Sequence, residues 1–89
     1  MDTELHSHHA DVVKRLKRIE GQIRSCAAMI EAGRPCPDVA QQLSAATNAL
    51  ASAKSAFIRE HIDHCLVGAA SVEDARGQLA ELKTMARYL

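Results

Sequence analysis

The sequence has no Trp, one Tyr and one Phe, so aromatic residues make up 2% of its 89 positions. Any core must come from Leu, Ile, Val and Ala, and the chain has no aromatic platforms on which single-stranded nucleic acid would stack. It also lacks a charge of one sign: 11 Lys plus Arg balance 11 Asp plus Glu. That argues against general nucleic-acid affinity while leaving room for a local basic patch. No uncharged run approaches the roughly 20 apolar residues of a membrane span, and no apolar segment of signal-peptide type follows Met1, so a soluble, cytoplasmic protein without membrane association is expected. With two Pro, four Gly and no low-complexity tract, nothing divides the chain. A chain this short buries a limited share of its surface, which favours self-association. Its three Cys cannot all pair within one molecule, and intracellular thiols tend to be metal ligands or reactive groups.

What is present is helical periodicity. Val12, Leu16, Ile19, Ile23, Cys26 and Ile30 step by four and three, and Gly33 suits the position just past a helix end. The chain restarts at Arg34-Pro35-Cys36-Pro37-Asp38, with Cys36 at or near the N-cap and Pro37 suited to the first helical position. No Gly or Pro interrupts residues 38–67, and Val39, Leu43, Ala46, Leu50, Ala53 and Phe57 repeat at four and three, predicting one long helix of about eight turns. Gly68 ends it. Ser71-Val72-Glu73-Asp74 resembles a capping box opening a third helix that runs to about Arg87, with Gly77 a local weakness. The expectation is an all-α, three-helix protomer with one long central helix. Residues 1–10 form a flexible N-terminal arm carrying His6, His8 and His9, and residues 11–89 a single domain.

Three potential ligands share a direction on the long helix. His61 and Cys65 are four apart, and at about 100° per residue Cys36 falls between their directions, about 20° from each. Cys36 and His61 are nevertheless separated by roughly 37 Å along a straight helix. A second protomer packed antiparallel about a two-fold axis would bring Cys36 of one chain to His61 and Cys65 of the other, giving two sites per dimer. Two thiolates and an imidazole form a soft, low-coordinate set suited to Cu(I), whereas tetrahedral Zn(II) would need a fourth ligand such as His64 or an arm His. His64 reads as solvent-exposed, the arm His residues as having no specific role in the folded domain, and Cys26 as core packing. A nucleophile–base reading of Cys65 and His61 lacks an oxyanion hole or substrate pocket, so an enzyme is not expected.

The first helix carries Lys14, Arg15, Lys17, Arg18 and Arg24 on the arc opposite its Leu16-Ile19-Ile23 stripe, diluted by Asp11 and Glu20. Repeated across an oligomer, such faces would neutralise several phosphates and give salt-sensitive binding to duplex DNA. No helix-turn-helix is evident.

The stretch Arg15-Leu16-Lys17-Arg18-Ile19-Glu20-Gly21-Gln22-Ile23, together with Cys36-Pro37-Asp38-Val39, Gln42-Leu43-Ser44-Ala45 and His61-Ile62-Asp63-His64-Cys65, resembles the copper-sensitive operon repressor (CsoR) family. The match spans roughly Val12 to Leu82. The resemblance implies an antiparallel dimer assembled into a dimer of dimers, a homotetramer that binds operator DNA without a helix-turn-helix. Lys14, Arg15 and Arg18 of the basic face are the expected DNA contacts, and the resemblance implies Cys36, His61 and Cys65 as Cu(I) ligands. Glu81 resembles the carboxylate that accepts the second N–H of the ligand His. Nickel and cobalt sensors of the family place His where Cys65 stands, persulfide sensors lack the His, and formaldehyde sensors use an N-terminal Pro, where this sequence has Asp2. Two departures stand out: Pro35 precedes Cys36 where copper sensors often carry Tyr, and Ser52 and Ser55 stand where relatives can carry Arg. Gly21 within a helix costs about 1 kcal/mol relative to Ala, consistent with close packing there. The expected function is Cu(I)-responsive repression of copper-resistance genes. The alternatives are a thiol- or persulfide-responsive repressor on the same scaffold, or a metal-binding helical oligomer that does not bind DNA.

Overall fold

A computed structural model describes residues 9–65 and 71–89, with side chains through Asp63 in the first stretch. It contains three α-helices: α1 (His9–Glu31), α2 (Cys36–Cys65) and α3 (Val72–Met85), followed by a 3₁₀ turn over Ala86–Tyr88. Among the described residues there is no strand, and no helix is long and apolar enough to cross a membrane.

Helix α1 begins at His9, so the last two residues of the expected arm are helical; residues 1–8, with His6 and His8, lie outside the described residues. The His9 ring sits on α2, its centroid 4.8 Å from that of Phe57, which gives the start of α1 a packing partner. The other end closes as the sequence predicts. Gly33 adopts φ 71°, a left-handed conformation that costs a residue without Cβ little. The Arg34 N–H donates to Met29 O at 3.0 Å and the Gly33 N–H to Ile30 O at 3.1 Å, satisfying two carbonyls the helix end would leave open.

Helix α2 starts one residue earlier than the proline pattern suggests. The Pro35 carbonyl accepts from the N–H groups of Asp38 (3.0 Å) and Val39 (3.2 Å), which makes Cys36 the first helical residue and Pro37 the second. Pro37 is still tolerated there because the first N–H groups of a helix have no intrahelical acceptor. At 30 residues, α2 is about 45 Å long. Helix α3 is capped by Ser71, whose Oγ accepts from the Asp74 N–H at 3.0 Å.

Helices α1 and α2 form an antiparallel hairpin, with Arg15 opposite Ser52 and His9 opposite Phe57. The apolar stripes divide here. Val12, Ile19 and Cys26 on α1, and Val39, Ala46 and Ala53 on α2, are spaced seven apart and buried between the two helices. Leu16, Ile23 and Ile30 on α1, and Leu43, Leu50 and Phe57 on α2, repeat at the same interval but remain exposed, Ile23 by 53% and Leu50 by 47%. The expected single stripe is thus two stripes, of which one hairpin covers one. Among the described residues the body, 58 × 25 × 14 Å, is one helix layer thick and offers no second layer to cover the other. Half of this seam is small (Cys26, Ala46 and Ala53), which allows close helix approach but limits the apolar area it contributes. Ile58 is also buried; it lies off the α1-facing stripe, in the part of α2 near which α3 returns. None of the residues of α3 is buried. Close packing at Gly21 is not found within the protomer, where a Cβ would meet nothing within 4 Å.

Candidate functional site

Cys36 is exposed at the N-terminus of α2, on the wall of an open, largely apolar cavity of about 510 Å³ that Ile30, Gly33, Val39 and Leu43 also line. His61 stands at the other end of the same helix. At about 100° per residue, His61 lies about 20° from the direction of Leu50, and Cys36 about 20° from that of Leu43. Both candidate ligands therefore border the exposed apolar stripe. Cys65 is the last described residue of α2, and the side chains of Cys65 and His64 lie outside the described ones. Among the described residues, no three His, Cys, Asp or Glu side chains come together in a way that could hold a metal ion. One helix cannot bring its two ends together.

His61 is held from α3. Its Nε2 lies 2.8 Å from Glu81 Oε1, with the imidazole mostly covered and the carboxylate more exposed. In the neutral ring an N–H at Nε2 donated to this carboxylate places the lone pair on Nδ1, so the contact selects the tautomer and the ring orientation together. Helix α3 starts after the Ser71 cap and returns to the end of α2, which puts Glu81, in its third turn, beside His61.

The basic residues of α1 are not equally exposed. Lys14, Lys17, Arg18 and Arg24 are exposed, whereas Arg15 is half-buried at the edge of the α1–α2 seam, where its Nη2 donates to Ser52 Oγ at 2.8 Å. Arg15, Arg18, Gln22 and Ser52 line a cleft of about 190 Å³ with Ile19 and Ala49. Sequence reasoning missed the part played by Ser52, since nothing local to that residue reveals which α1 side chain the hairpin register sets against it. Cys26 is buried and free, as core packing requires.

Comparison with known proteins agrees with this architecture. A family profile described as metal-sensitive transcriptional repressor matches residues 8–88. The chain is 46% identical over 70 residues to the copper-sensing transcriptional repressor RicR of Mycobacterium tuberculosis, covering 76% of this chain and 73% of that protein. It is 35% identical over 71 residues to the copper-sensing transcriptional repressor CsoR of Bacillus subtilis, covering 80% and 70%. Among solved structures, the nickel-responsive transcriptional regulator InrS superposes with a TM-score of 0.74 at 37% identity, covering 90% of this chain and 91% of that one. A variant of the formaldehyde-responsive regulator FrmR from Salmonella enterica serovar Typhimurium has the same fold, with a TM-score of 0.81 at 24% identity over 92% and 93% of the two chains. The chain belongs to the metal-sensitive transcriptional repressors of the CsoR family, which are regulators and not enzymes.

Proposed function

We propose that this protein is a Cu(I)-responsive repressor whose sensing site lies between two chains. The observation that carries the reading is the placement of Cys36 and His61 at opposite ends of α2, both beside an apolar stripe that the protomer leaves uncovered. An antiparallel second copy laid on Leu16, Ile23, Ile30, Leu43, Leu50 and Phe57 buries that stripe and sets Cys36 of one chain against His61 and Cys65 of the other. Two such dimers would make the tetramer. The donor set fits a soft, low-coordinate metal: two thiols and one imidazole, with no hard oxygen ligand among them. The copper-sensing relatives support the same choice. Bound there, Cu(I) would be a crosslink between the N-terminus of one α2 and the C-terminus of the other. The chain's contribution is to hold His61 in one orientation through Glu81 and to present Cys36 on a fixed first helical turn.

Without copper, the protein holds its cytoplasmic operator through Lys14, Arg15 and Arg18 on each α1. Release requires that the copper-bound arrangement of the long helices bind DNA less well than the copper-free one. By linkage, operator binding then weakens copper binding by the same factor. Anaerobic fluorescence anisotropy on the protein's own upstream DNA tests the reading. Release by buffered Cu(I), with none by zinc, nickel or persulfide, is the expected outcome; release by nickel or persulfide alone would replace copper as the inducer. Glu81→Gln weakens Cu(I) affinity by roughly 10- to 100-fold, read by competition with a chelator, while operator affinity without copper stays at the unmodified level.

A further inference from the structure

The cleft between α1 and α2 has the chemistry of an anion site, and it lies away from the candidate copper ligands. Arg15, Arg18 and Gln22 follow one another at intervals of three and four on α1, so they share a face, and all three line the cleft with Ser52 of α2. Among the described residues, no carboxylate forms an ion pair with Arg15 or Arg18. The nearest acid on this face in sequence is Asp11, one turn before Arg15. The Arg15 side chain is not left to solvent: its Nη2 donates to Ser52 Oγ at 2.8 Å. That bond uses one of five guanidinium N–H donors, and the hydroxyl keeps its own proton to donate.

We propose that this cleft seats one phosphate of the DNA backbone and that Ser52 is its positioning residue, fixing the Arg15 guanidinium against α2. The remaining Arg15 donors, the Arg18 guanidinium and the Gln22 amide then surround a single phosphate oxygen cluster, a geometry suited to Arg forks and not to mobile Lys. An unfixed arginine would lose side-chain freedom on each DNA encounter; the Ser52 bond removes part of that freedom beforehand. The inference rests on the repressor reading and adds to it the residue on α2 that prepares a contact made by α1. It also ties DNA binding to the helix pair itself, because the seat is made of both helices and its shape depends on their register.

The test measures operator affinity against salt by anisotropy for the full-length protein and the variants Arg15→Ala, Ser52→Ala, Ser52→Thr and the double variant. Arg15→Ala lowers the slope of log affinity against log salt by about one phosphate contact. Ser52→Ala weakens binding by roughly three- to tenfold, as expected for loss of one hydrogen bond, with a slope near the unmodified one. Ser52→Thr restores affinity, and adding Ser52→Ala to Arg15→Ala has no further effect. Thermal stability separates positioning from folding, since Ala at an exposed helix position favours the helix: the melting midpoint holds or rises while DNA affinity falls. A Ser52→Ala variant that binds like the unmodified protein, or whose effect adds in full to that of Arg15→Ala, overturns the proposal.

A second arm separates this proposal from the repressor reading. Inorganic phosphate is titrated while the Arg15 side-chain resonances are followed by NMR. If the protein binds no DNA at low salt yet these resonances respond to phosphate in a Ser52-dependent way, the cleft is an anion seat prepared by Ser52, but its assignment to DNA and the operator contacts proposed above fail. If neither DNA nor phosphate is bound, the seat is refuted as well.

Discussion

Replacing Cys36 by Ala abolishes the release of operator DNA by Cu(I) and leaves DNA binding by the copper-free protein intact. The unmodified protein should lose roughly 5- to 150-fold in operator affinity on saturation with Cu(I), the usual span of a coupling free energy between two sites, and the variant none. Sensing and binding separate because the two proposed surfaces are distant. Cys36 is exposed on the first turn of α2, beside the hairpin loop, whereas Ser52 and its partner Arg15 are more than four helical turns further along. Substitution at such an exposed position is also mild for the fold, within about 0.5 kcal/mol. Anisotropy with and without buffered Cu(I) gives both readings from one sample. Retained copper release in Cys36→Ala would remove Cys36 from the sensing site.

Leu50→Lys separates the chains. If Cys36 of one chain meets His61 and Cys65 of the other, the two-fold axis crosses α2 midway between these positions, close to Leu50, so each Leu50 faces its own copy. Lys at both positions puts like charges together at the centre of an apolar seam, where the ammonium groups lose water without gaining a partner. A one-layer hairpin with so few buried residues, three of them small, has little to hold it once the second layer is gone. The expected result is a shift to the monomer mass by light scattering, lower helicity by circular dichroism, and loss of tight Cu(I) binding. Val13→Lys is the control: Val13 is as exposed as Leu50 but lies off the heptad stripe, and its variant stays assembled. A Leu50→Lys protein that keeps its mass would place the interface elsewhere.

Features set by a few neighbouring residues were legible in the sequence. Gly33 closes α1 and Ser71 caps α3 because each depends only on backbone groups within one turn. The period of the apolar residues was equally legible, but not which of them would be covered. Leu16 and Ile19 read alike in a 3.6-residue pattern, and only the crossing of α1 over α2 decides that Ile19 is buried and Leu16 exposed. The start of α2 was misplaced by one residue, since Pro37 is compatible with either of the first two helical positions. The His61–Glu81 contact was expected from family resemblance alone; helical spacing within either element does not imply it. The Arg15–Ser52 bond and the His9–Phe57 contact join residues 37 or more positions apart and depend on hairpin register, which no local pattern encodes.

Complementation between two defective chains tests whether the copper site is shared. Cys36→Ala and Cys65→Ala chains, carrying different affinity tags, are refolded together, purified through both tags and titrated with Cu(I) against a chelator under anaerobic conditions. Each variant alone has one thiol per site and binds no Cu(I) tightly. In a mixed dimer with shared sites, one site loses both thiols and the other keeps Cys36 of one chain with His61 and Cys65 of the other, so tight binding returns at one Cu(I) per pair of chains. If each site belonged to a single chain, both would be defective in the mixture, and tight binding that fails to return would contradict the intersubunit site.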